Sequence, residues 1–191
     1  MDIVTSLAVV AFAALIHASF QLSVSVLTLL SGHSIGAKKS RTRVLTLTSS
    51  YVTGAGIMTL LLLSFISLVL LHVFGIVVPL IVWAIVCGLV LGVGIAVWLF
   101  YYRKGKVGTE LWLPRGFAKY LTDRSKATHH SAEAFGLGLT SVVAELLFII
   151  PCLAIAALAI IGLPSGWQLI ALAIYTVISL GSLLLVWSLV G

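Results

Sequence analysis

Five stretches of this chain are long and apolar enough to cross a bilayer, and this limits everything else the chain can be. A membrane-spanning helix needs about 20 largely apolar residues. The stretches run over about 3–30, 44–71, 75–102, 135–161 and 167–190 of the 191 residues. Several exceed the minimum, so tilt or interfacial extension is expected. Composition agrees: 61% of residues are hydrophobic and 8% charged, against about 25% charged in a water-exposed domain. No polar stretch is long enough to build a second core. The expected fold is all-α: a polytopic membrane helix bundle of about five transmembrane helices, forming one domain over residues 1–191. The N-terminal stretch reads as the first span and not as a cleaved leader, because it opens on Asp2 where a leader carries basic residues.

Charge orients the bundle. All 11 Lys and Arg lie in two segments, 38–43 and 103–126, and the connections at 72–75 and 162–166 carry none. Two spans separate the basic segments, so they share a face. The positive-inside rule makes that face cytoplasmic and puts the N-terminus outside, in what reads as a bacterial cytoplasmic membrane. The net charge of +6 is then matched by anionic headgroups of the lipid bilayer, and no nucleic-acid partner is expected. Within the cytoplasmic loop 103–134 a helix is expected over 113–124. There Leu113, Phe117, Tyr120 and Leu121 share a face, and Pro114 suits the first turn. Arg115, Lys119 and Arg124 would meet headgroups from a helix lying on the surface.

Polar groups inside a membrane are costly and mark functional candidates. Glu145 is the one acidic residue deep in a span, and Ser141 lies one turn before it. A carboxylate there needs a cation or several donors. In the first span His17, Gln21, Ser25 and Thr28 follow at offsets of four, four and three, which on a continuous helix is a polar stripe about 80° wide. Such a stripe faces the bundle interior, a water-filled path or a partner helix. Pro151, six residues after Glu145, should kink or loosen the fourth span and free carbonyls nearby. The small residues Ser49, Ser50, Thr53, Gly54, Gly56 and Thr59, and Gly88, Gly92 and Gly94, read as helix packing. Cys87 and Cys152 sit in apolar runs and read as small buried hydrophobes. His129-His130 with Glu133 is a weak metal pattern, since adjacent helical residues point about 100° apart. With no nucleophile motif, phosphate loop or firm metal spacing, the chain is not expected to be an enzyme or to carry a cofactor.

The order of features resembles the LysE-like superfamily of small exporters. A polar first span ends in Leu30-Ser31-Gly32-His33-Ser34-Ile35-Gly36, followed by a short basic loop. The second span contains Tyr51-Val52-Thr53-Gly54-Ala55-Gly56. A Gly-rich third span and a longer basic loop lead to Ala134-Phe135-Gly136-Leu137-Gly138-Leu139, and that span closes on Pro151-Cys152. The superfamily includes amino-acid exporters, divalent-metal exporters and the CcdA/DsbD membrane region that moves reducing equivalents. The resemblance implies six spans where five are read here. It also implies a first-span cysteine in CcdA-like members, absent here, and an Asn-Pro in amino-acid exporters, where this chain has Glu145. Together with the intramembrane polar groups, the resemblance implies a homodimeric transporter or exporter of a cation or polar small molecule. Glu145, His17, Gln21, Ser25, Ser141 and Pro151 would form the site, with Glu145 exchanging a proton. Two other readings stay open: a non-transporting subunit held by a membrane-protein partner, and a thiol–disulfide conduit through Cys87 and Cys152.

Segregation of the basic residues makes a direct prediction. Single cysteines placed at 73 and 164 should react with an impermeant maleimide added outside, and those at 40 and 106 should not. Labelling at 40 from outside would overturn the orientation.

Overall fold

The computed structural model describes residues 2–21, 23–36, 41–101 and 115–190. These residues form eight helices and no strand: α1 (Ile3–Ser19), α2 (Ser23–Gly36), α3 (Arg41–Phe74), α4 (Leu80–Tyr101), α5 (Arg115–Ala127), α6 (Ser131–Ile161), α7 (Ser165–Ser179) and α8 (Gly181–Val190). Among them α3 and α6 are long and apolar enough to cross a membrane. The number of candidate spans rises to four if the bent pairs α1/α2 and α7/α8 each count as one. A shorter apolar helix runs over Leu80–Ala96 in α4. The exterior is apolar over wide areas, with Phe65, Leu68, Leu80 and Leu169 all exposed. A surface of that kind fits lipid better than water.

α3 and α6 form the central pair and run parallel. Arg43 donates to the His129 carbonyl at 3.3 Å near their N-terminal ends. Further along, still in the N-terminal halves of both helices, Gly54 meets the backbone of Phe135 and Leu139. Leu70 packs on Leu158 and Ile161 at the far end. The ends flanked by basic residues therefore lie together, as the charge pattern requires. α1 runs antiparallel to α6, with Phe20 stacked on Phe148 at 6.5 Å between ring centroids. α7 runs parallel to α1: His17 meets Tyr175 and Gln21 meets Ser179, both 158 residues apart. α5 packs on α2 and α6, and α4 packs on α6.

Several expected boundaries need correction. The first span is not one helix over 3–30. It breaks between Ser19 and Ser23, and the halves are bent by 54°. The last span, expected over 167–190, breaks at Leu180 with a bend of 52°. The third begins at Leu80 and not at residue 75, because Gly75 turns the chain at φ +70° and Pro79 disfavours a helical Val78 before it. α5 ends at Ala127, three residues beyond the expected 124. Its expected start, with Leu113 and Pro114, lies outside the described residues, as do Lys38, Lys39, Arg103, Lys104 and Lys106.

Close approach of α3 and α6 depends on two glycines. A Cβ on Gly54 would overlap the Phe135 carbonyl oxygen, and one on Gly138 would overlap the Tyr51 carbonyl oxygen. Both obstacles are backbone, so the helices would have to separate. On α4, by contrast, a Cβ at Gly88 meets nothing within 4 Å. Gly138→Leu should therefore cost on the order of 3 kcal/mol or more, read as a large fall in thermal unfolding temperature in detergent, while Gly88→Ala leaves it unchanged. Equal effects of the two would contradict this packing.

Candidate functional site

Along α6 the residues Gly138, Ser141, Glu145, Ile149 and Cys152 are buried and recur every three or four positions, which puts them on one inward face. Glu145 has no exposed surface. Its Oε1 accepts a hydrogen bond from the Ser23 backbone N–H at 2.5 Å and another from the Ser23 hydroxyl. Ser23 is the first residue of α2. Glu145 thus occupies the positive end of a half-helix and takes up one of the N–H groups that the break leaves without a helical acceptor.

The cluster extends to α3. The Tyr51 hydroxyl donates to the Ser23 carbonyl at 3.0 Å and lies 2.8 Å from Ser141 Oγ, which donates to the Gly138 carbonyl at 2.8 Å. Ser23, Tyr51, Ser141 and Glu145 are all buried. The glycine crossing positions them: Tyr51 lies one turn before Gly54 and Ser141 one turn after Gly138, so the two hydroxyls meet where the backbones are nearest.

A second set of bonds ties the two helix breaks together. Gln21 Nε2 donates to the Ser179 carbonyl at 2.5 Å, and Gln21 Oε1 accepts from the Ser182 hydroxyl. One side chain in the first break thus holds the end of α7 and the start of α8. Just before that break, His17 Nδ1 and the Tyr175 hydroxyl are 3.0 Å apart, and both residues are buried.

Of the residues singled out in the sequence, Glu145 and Ser141 come together in the Tyr51–Ser23 cluster, and Gln21 lies at the break beside it. His17 bonds Tyr175 and not Glu145. Ser25 does not belong to the site: it is exposed, as is Thr28. The stripe that grouped them assumed one continuous helix, and the break turns α2 so that Ser23 faces inward. Pro151 is buried, and α6 runs through it as a single helix; the helix breaks occur in α1/α2 and α7/α8. Glu133 accepts from the His129 N–H at 3.1 Å, a capping contact at the start of α6. Among the described residues no group of three or more His, Cys, Asp or Glu is placed to hold a metal. Ser23, Tyr51, Tyr175 and Ser182 are site residues that the sequence pattern does not single out. A phenol inside an apolar span was the available signal, because a buried tyrosine hydroxyl needs a partner.

Comparison with family models, curated proteins and solved structures finds no match for this chain.

Removing the Tyr51 hydroxyl leaves the buried Ser23 carbonyl without that donor. Tyr51→Phe should therefore destabilise by about 1–3 kcal/mol, whereas Ser25→Ala should be neutral. Thermal unfolding in one detergent compares them directly, and a larger loss at Ser25 would contradict the break.

Proposed function

We propose that this chain is a small membrane transporter or exporter of a cation or polar solute, with Glu145 as its proton- or cation-binding group. In this reading five spans cross the cytoplasmic membrane, with the N-terminus outside and the basic segments in the cytoplasm. The observation that carries it is a fully buried carboxyl held by the first residue of a broken half-helix. Broken helices beside intramembrane ionisable groups are a recurring device in transporters, because freed backbone groups can bind a solute and can also move.

The chemistry follows from what Glu145 does for α2. As a carboxylate it accepts from both Ser23 donors. As a neutral acid it is a weaker acceptor and gains a proton to donate, so protonation loosens its hold on the N-terminus of α2. A cation entering the site competes with Ser23 for the same carboxylate. Gln21 bonds α8, so α2 and α8 would respond together. His17, bonded to Tyr175 at the end of α1, would remain with the static half.

Glu145→Gln keeps the size and an acceptor for Ser23 but cannot titrate. In proteoliposomes carrying a lumenal pH dye, wild type should dissipate a proton gradient when a transported cation is added outside, and Glu145→Gln should fold but lose this response. Glu145→Leu should lose stability first, since it leaves both Ser23 donors without that acceptor. Unchanged proton flux in Glu145→Gln would defeat the proposal. It would favour the alternative of a non-transporting subunit, to which the exposed apolar face of α4, with Leu89, Leu91 and Ile95, lends support.

A further inference from the structure

α1 and α4 both pack on α6 but scarcely on one another. Between them lies a cleft of about 510 Å³, bordered by Ala8, Phe12 and Ile16 of α1, by Cys87 and Leu91 of α4, and by Cys152 of α6. It is separate from the Glu145 cluster. Cys152 forms the floor and is 1% exposed, whereas Phe12 and Leu91 stand at the rim at 66% each. Apart from the hydroxyl of Thr5 and the two thiols, the lining is hydrocarbon. An apolar recess of this kind does not hold ordered water, and its volume falls in the range of built ligand sites, about 300–1,000 Å³.

Its length points to the occupant. The α1 wall runs from Thr5 to Ile16, about 16 Å along the helix axis at 1.5 Å per residue. Half the hydrocarbon thickness of a bilayer is about 15 Å. The cleft therefore matches one leaflet, on the side where α1 begins, and it opens sideways between two helices. We infer that it holds a single acyl chain of a phospholipid from that leaflet, seated along α6 between α1 and α4. Such a chain fills the gap that α1 and α4 leave between them over α6, and it keeps Cys87 and Cys152 in contact with hydrocarbon and away from charged thiol reagents.

The test uses full-length protein in phosphatidylcholine vesicles doped with phosphatidylcholine that carries a diazirine in one acyl chain. After illumination, adducts should concentrate on Phe12 and Leu91 over Phe65 and Leu68, which are similarly exposed on α3. Ala8→Phe, which fills the cleft, should lose most of the adduct at Leu91 and keep those on α3. The milder Ala8→Leu should give an intermediate loss if the larger side chain prevents folding, and Phe12→Ala should retain the Leu91 adduct. Equal labelling of cleft and α3 residues overturns the inference. So does labelling of the cleft by a headgroup-free diazirine hydrocarbon alone, or a crosslinked dimer whose interface covers the cleft. None of these outcomes depends on transport, so this site and the Glu145 reading can fail independently.

Discussion

The close crossing of α3 and α6 at Gly54 and Gly138 fixes where the interior polar groups lie. Backbone meets backbone there, which no other residue type permits. The approach brings Tyr51 within 2.8 Å of Ser141 and lets the phenol reach the Ser23 carbonyl at the start of α2. Ser23 is then placed against Glu145. Widening this crossing by the width of a methyl group would pull Tyr51 away from Ser141 and leave the Ser23 end of α2 to be shared between two helices that had moved apart. A packing contact with no polar side chain in it thus governs the polar chemistry of the bundle.

Around that crossing, the two helix breaks answer a requirement set by the apolar surroundings. A break in low dielectric leaves N–H and C=O groups that must find partners inside the protein. Here some of the partners are side chains from elsewhere in the fold. Glu145 takes the Ser23 N–H, Tyr51 bonds the Ser23 carbonyl, and Gln21 bonds the Ser179 carbonyl. Neither break contains proline; Gly181 lies next to the second and no glycine lies in the first. Each therefore depends on tertiary contacts more than on local conformational preference.

This explains what the sequence could and could not disclose. Apolar run lengths located the helical segments, and the clustering of Lys and Arg matched the parallel arrangement of α3 and α6, since both patterns are imposed by the solvent on each segment separately. Glu145 and Ser141 were legible because a carboxyl in an apolar run demands partners whatever the topology. The break after Ser19 was not legible: the residues at 20–22 carry no helix-ending signal, and the groups that stabilise the break come from residues far along the chain. Once the helix is broken, the 3.6-residue count restarts at Ser23. For that reason the stripe includes Ser25, which is exposed, and leaves out Ser23, which is buried. Pro151 carried the strongest local signal for a break and sits in an unbroken α6, where core packing outweighs one missing N–H.

The pairing of α1 with α7 also has a consequence for the order of assembly. His17 and Gln21 find their partners 158 residues later in the chain, and Ser23 meets Glu145 122 residues later. During synthesis the first segment emerges long before the partners of its polar groups, which must wait until most of the chain has been made. Contacts this remote in sequence form late, because the loop that closes them is long. Until then α1 and α2 are better matched to a single continuous helix, in which their own backbone satisfies itself. The break is then a product of docking against α3, α6, α7 and α8 together, and the nascent first helix acquires its bend only when these neighbours arrive.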